Sequence, residues 1–119
     1  MSKFIIQGQN KLSGEIEVKG AKNLALKIIP ASLLSEETIK ITNLPDIEDV
    51  KKSLELIEAL GGNVRMGNNS CEIETKNIKT STLPPKIASQ FRASIMFVAP
   101  LLARFGEARF PHPGVLGRV

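Results

Sequence analysis

The sequence predicts a mixed α/β (α+β) fold built from repeated helix–strand units, and three observations carry that prediction. Apolar residues switch along the chain between two-residue alternation and helical spacing, the mark of strands alternating with helices. Gly, Pro and Asn clusters fall between those segments, where turns belong. One stretch also repeats. Pro30-Ala31-Ser32-Leu33-Leu34, a strand pattern and a turn at Pro45 match Val98-Ala99-Pro100-Leu101-Leu102, a second strand pattern and a turn at Pro113, with an offset of 68 residues. The repeated unit reads helix, strand, helix, strand, strand, present once and then in part.

Taken in order, Phe4 to Gln7 and Glu15 to Lys19 read as two short strands joined by the turn-rich stretch Gly8 to Gly14. A nearly all-round apolar segment from Leu24 to Leu34 predicts a buried helix, with Pro30 kinking it or lying in its first turn. Thr38-Ile39-Lys40-Ile41-Thr42 alternates and predicts a strand. Asp46 is the expected N-cap of the clearest helix, whose stripe is Ile47, Val50, Leu54, Ile57 and Leu60 and whose C′ residue is Gly61. Asn63 to Met66 and Cys71 to Thr75 predict a hairpin around Gly67-Asn68-Asn69. Residues 76–83 read as a polar connector. Pro85 is expected to open one long helix with the stripe Ile87, Phe91, Ile95, Val98, Leu102 and Phe105, kinked at Pro100, before a strand Glu107 to Phe110.

The totals bound the function. The 119 residues allow one small core, and 42% hydrophobic with 24% charged residues is ordinary for a globular chain. No apolar run approaches the roughly 20 residues of a membrane span, and the N-terminus lacks a signal-peptide pattern, so no membrane partner is expected. A single cysteine excludes an internal disulfide and suits a reducing cytoplasm. Charge is uneven: residues 1–75 carry 9 basic and 11 acidic side chains, whereas residues 76–119 carry 7 basic side chains against Glu107. A positive half suits a phosphorylated small molecule. Nucleic acid fits poorly, because Trp and Tyr are absent and the five Phe sit in apolar patterns.

The chemistry-bearing stretch is Gly20-Ala21-Lys22-Asn23, where a strand pattern hands over to a helix. Glycine allows a tight turn and close approach of a ligand, and a helix start beside a lysine seats a phosphate or carboxylate; the same pattern also serves as a plain turn. In the repeat, Arg92 falls within two residues of the place equivalent to Lys22. Its alternative role is a surface arginine covering apolar area with its stem. Cys71, alternating with Glu72 and Glu74, reads as a small apolar residue on a strand rather than a reactive thiol. His112, between two prolines, reads as a loop residue.

Gly20-Ala21-Lys22-Asn23, Asn43 through Val50, and above all Arg92-Ala93-Ser94-Ile95 through Pro100-Leu101-Leu102-Ala103-Arg104-Phe105-Gly106 resemble the UDP-N-acetylglucosamine enolpyruvyl transferases. The shikimate-pathway enolpyruvyl transferase, normally Gly-Ser-Lys-Ser at the first of these sites, fits less well. The resemblance implies an inside-out α/β barrel of βαβαββ units in two lobes, with residues 1–20 belonging to the lobe completed by a C-terminal part and residues 21–119 beginning the other. It implies a cytoplasmic enzyme that needs no cofactor or metal. That enzyme moves enolpyruvyl from phosphoenolpyruvate to the 3′-hydroxyl of UDP-N-acetylglucosamine with release of phosphate, the first committed step of peptidoglycan synthesis. Lys22 and Asn23 match its phosphoenolpyruvate-binding pair, and Arg92 an arginine that contacts the UDP-sugar.

The match breaks at Pro113-Gly114-Val115-Leu116-Gly117-Arg118-Val119. The family's catalytic loop has Pro-Gly-Gly-Cys and later Gly-x-Arg-Pro; here the loop cysteine has no counterpart, so no catalytic residue is assigned, and Arg118 only loosely matches the substrate arginine. Two expectations follow: a truncated fragment of the transferase, inactive alone, or a binding domain that keeps an anion site without the chemistry.

Overall fold

A computed structural model describes residues 2–111; the assignments made at His112 and Arg118 lie outside the described residues. The first surprise is at the start. Residues 2–19 form neither strand nor helix, and Phe4 and Ile16 are 94% and 91% exposed. Both opening strands predicted there are therefore corrected. Alternation supplies strand propensity, but a strand exists only when a neighbour completes its ladder, and none among the described residues does.

From Lys22 onward the predicted unit appears in its predicted order: α1 (Lys22–Ala31), β1 (Ile39–Ile41), α2 (Glu48–Ala59), β2 (Asn63–Gly67) and β3 (Ser70–Glu74). The three strands form one antiparallel sheet in the order β1-β3-β2. Ile39 and Val64 both pair with Ile73, and Ile41 and Met66 both pair with Cys71. These residues therefore share a face. Lys40, Arg65 and Glu72 share the other, and Arg65 reaches Glu72 across the pair at 3.6 Å. Cys71 and Ile73 are buried under the helices, and burial pushes the Cys71 thiol up. That fits the structural reading of this residue.

α1 begins two residues earlier than predicted. Pro30 lies in its last turn, and the chain tightens there into a 3-10 turn, Ser32–Leu34. In α2 the predicted stripe is buried from Val50 to Leu60 and joined by Leu56, Ile47 being half-buried ahead of the helix, and Gly61 adopts φ +111° just past the C-cap Leu60. The N-cap is a correction: it is Ile47, with no side-chain cap, while Asp46 instead pairs with Lys51 at 3.3 Å. Ser53 faces the core with its hydroxyl buried and without a hydrogen-bond partner among the described residues. Such a hydroxyl costs about 1 kcal/mol or more. Ser53→Ala is accordingly expected to raise the urea midpoint by about 1 kcal/mol of stability; a loss of that size would show that the hydroxyl is satisfied.

The long helix predicted from Pro85 is three pieces: α3 (Pro85–Ala88), a 3-10 segment Arg92–Phe97, and α4 (Val98–Phe105). The break is at Phe91, whose backbone is extended (φ −152°, ψ 145°). Extension drops its ring into the core and resets the phase. Phe91, Ser94, Phe97 and Leu101 are buried, while Ile95, Leu102 and Phe105 of the predicted stripe are exposed. Pro100 falls in the first turn of α4, where a missing N–H costs nothing, so it makes no kink. The predicted last strand shrinks to a single parallel bridge, Thr82↔Arg109. Its partner lies in the presumed connector, where Leu83 N–H donates to the Arg109 carbonyl at 2.8 Å and Arg109 N–H to the Ser81 carbonyl at 3.0 Å.

The core joins α1, α2, the 3-10 segment Arg92–Phe97, α4 and the inner sheet face through Ile29, Leu56, Ile57, Ile73, Phe97 and Leu101. Arg104 fastens α4 to this body. Its guanidinium donates to the carbonyls of Leu33 (3.0 Å) and Lys76 (3.1 Å) and to the Thr75 hydroxyl (3.2 Å). Thr75, fully buried, turns its own hydroxyl towards the Ser32 and Ser35 carbonyls at 3.0 and 2.8 Å.

Candidate functional site

Lys22 and Asn23 are the first two residues of α1, and both are exposed. Ala21 is the N-cap and offers no side-chain acceptor; the first helical hydrogen bond runs from Ala25 N–H to the Ala21 carbonyl at 3.1 Å. The N–H groups of Lys22, Asn23 and Leu24 therefore have no partner among the described residues. Three free donors with an ammonium beside them form an anion seat.

Gly20 is needed here for packing within the chain itself. A Cβ on it would collide with the carbonyl oxygen of Asn43 and lie 3.1 Å from Cδ of Pro45. The chain's own Asn43–Pro45 turn makes a close approach here. Asn43 adopts φ +52°, and Leu44 N–H donates to the Asn69 carbonyl at 2.8 Å, so that turn is anchored to the tip of the hairpin. A cavity of about 210 Å³ opens beside Gly20, lined by Lys19, Ala21, Leu24, Ile41 and Asn43 among others, but not by Lys22, Asn23 or Arg92.

α1 packs on α2, and this brings Lys22 Nζ within 3.3 Å of Oδ2 of Asp49 in the first turn of α2. The sequence pattern singled out no role for Asp49 at the site. An ion pair across 27 residues leaves no periodic trace, so nothing in the pattern could have found it. Arg92 opens the 3-10 segment that packs against α1, so the two basic residues ride on neighbouring elements. Arg92 is exposed, and no carboxylate among the described residues pairs with it. Among those residues no group of His, Cys, Asp and Glu is placed to hold a metal ion. No helix among them is long and apolar enough to cross a membrane.

Residues 6–116 match the sequence model of the EPSP synthase (3-phosphoshikimate 1-carboxyvinyltransferase) family. The chain belongs to that family. Within it, the curated relatives carry another substrate in their names. A UDP-N-acetylglucosamine 1-carboxyvinyltransferase of Treponema denticola is 46% identical over 99% of this chain, and one of Escherichia fergusonii is 41% identical over 96%. The chain spans only 28% and 27% of those two proteins. In three dimensions it resembles the crystal structure of the enolpyruvyl transferase NikO from Streptomyces tendae. The TM-score is 0.71 at 22% identity, over 83% of this chain and 23% of that one. The fold is thus that of the enolpyruvyl transferases, as the Arg92–Gly106 stretch led us to expect, with its sheet incomplete.

Proposed function

We propose that this chain is part of a UDP-N-acetylglucosamine 1-carboxyvinyltransferase and supplies its first phosphoenolpyruvate contacts. The observation that carries the reading is the uncapped start of α1: free N–H groups of Lys22, Asn23 and Leu24 beside the Lys22 ammonium, within a sequence 46% identical to an enzyme of that name. In the whole enzyme, enolpyruvyl passes from phosphoenolpyruvate to the 3′-hydroxyl of UDP-N-acetylglucosamine and phosphate leaves. Lys22 neutralises phosphate charge as the tetrahedral intermediate forms, with Asn23 hydrogen-bonding beside it; held donors of this kind need no reorganisation during reaction. The Arg92 guanidinium presents a fork suited to the diphosphate of the UDP-sugar. Arg118 is assigned, on its looser match, to the same substrate. Residues 1–20, of which 2–19 are exposed and in no strand here, are assigned to the second lobe of the enzyme. The product feeds peptidoglycan synthesis in the cytoplasm.

Backbone NMR of the purified chain titrated with phosphoenolpyruvate tests this reading. The amides of Lys22, Asn23 and Leu24 are expected to shift, and Lys22→Ala to weaken binding about tenfold or more, the value of one charge-assisted hydrogen bond. Silence at the α1 amides, or full affinity in Lys22→Ala, would overturn it. Without the loop cysteine of the family pattern, phosphate release by this chain is expected to be absent.

A further inference from the structure

We infer that Asp49 is a positioning residue for the anion seat: an internal counter-anion that holds the Lys22 ammonium in place and, by its charge, limits how tightly an incoming anion is bound. The inference rests on the phosphoenolpyruvate reading above and adds to it a residue on a different helix.

The geometry has two consequences of opposite sign. A free lysine side chain samples many rotamers, and ordering it on binding opposes binding. With Nζ already 3.3 Å from Asp49 Oδ2, part of that ordering is complete before the ligand arrives. An ammonium has three donors, so Asp49 leaves two for the ligand. The carboxylate also stays negative beside any anion that reaches Nζ. At a separation of about 6 Å in water, two unit charges repel enough to change affinity about threefold. Both partners are partly solvated, with side chains 55% and 35% exposed, so this repulsion is salt-sensitive. No other carboxylate among the described residues pairs with Lys22: Asp46 is engaged with Lys51, and Glu48 with Lys52 at 3.9 Å.

Two substitutions separate the effects. Asp49→Asn keeps an oxygen that accepts from Nζ and removes the charge; Asp49→Ala removes both. With phosphoenolpyruvate as the probe and NMR as the readout at low salt, Asp49→Asn is expected to bind about threefold tighter than the parent chain. Asp49→Ala should bind about threefold weaker than Asp49→Asn, and the gain of Asp49→Asn should vanish in about 1 M salt. A merely structural role, through the α2 dipole, would move both variants the same way and leave no such salt dependence. Asp49→Asn binding no tighter than the parent, or Asp49→Ala binding as tightly as Asp49→Asn, would overturn the inference.

A second readout needs no substrate. Trinitrobenzenesulfonate is an anionic amine reagent, and its rate of modifying Lys22 relative to Lys27, followed by peptide mass, should rise roughly two- to fivefold in Asp49→Asn. If phosphoenolpyruvate binds neither chain but this rate rises, the Asp49–Lys22 device stands and the substrate reading fails. An unchanged rate removes the device whatever the substrate result.

Discussion

Arg104→Ala is expected to lower the unfolding free energy by about 2–3 kcal/mol, read as a lower urea midpoint with an unchanged slope. One guanidinium joins three parts of the chain: α4, which carries it, the 3-10 turn after α1 at the Leu33 carbonyl, and the end of β3 at Thr75 and Lys76. The contacts span 71, 29 and 28 residues of sequence, so no local interaction replaces them. The Leu33 carbonyl closes a helical turn and gains from a cation as well as from a donor. Removing the side chain leaves that acceptor and the buried Thr75 hydroxyl short of a partner, and an unmet buried group costs more than a made bond contributes. Arg104→Lys should recover only part of the loss, because a single ammonium cannot span the two carbonyls that the fork reaches from separate nitrogens. A change below about 0.5 kcal/mol, the size typical of surface substitutions, would show that the latch carries no weight.

Gly20→Ala is expected to cost about 1–3 kcal/mol, the range for forcing volume into a filled place, and to weaken the anion seat as well. The added methyl meets a backbone carbonyl, not the end of a side chain that could swing away. That carbonyl belongs to Asn43, already at φ +52° and tied through Leu44 to the hairpin. Relief must come either from displacing this turn or from moving the first residues of α1. The first route strains the hairpin; the second moves Lys22 away from Asp49. Thermal unfolding and the phosphoenolpyruvate titration together check both routes. Parent-like values in both would mean that the two segments separate without cost.

The parts of this fold that were readable in sequence are those whose signal is local. α2 announced itself through one uninterrupted stripe and Gly61, and the hairpin through Gly67-Asn68-Asn69, of which Asn69 adopts φ +52°. The stretch from Pro85 misled because Ile87, Phe91 and Ile95 follow each other at four-residue spacing, as in one continuous helix. Burial of Phe91 and Phe97 in the shared core overrode that spacing, and only tertiary packing could show it. The opening strands misled for the complementary reason: their alternation is real, but pairing depends on a neighbour. At the candidate site, Gly20 and the helical pattern after it placed Lys22 and Asn23 correctly at a helix start. The identity of what presses against Gly20, and of what holds Lys22, depends on how α1 meets α2 and the Asn43–Pro45 turn, which no spacing encodes.

The strand order β1-β3-β2 leaves β3 paired on both sides and gives β1 and β2 one open edge each among the described residues. An open edge is a template on which a foreign strand can grow, the first step towards fibrils. β1 offers only three residues, too few to seed a lasting ladder, and carries Lys40 at its middle. β2 is longer, but Arg65 stands at its centre and Gly67 ends it. The same charged residues that form the polar face of the sheet therefore also act as gatekeepers, keeping a small sheet with two bare sides from recruiting its own kind.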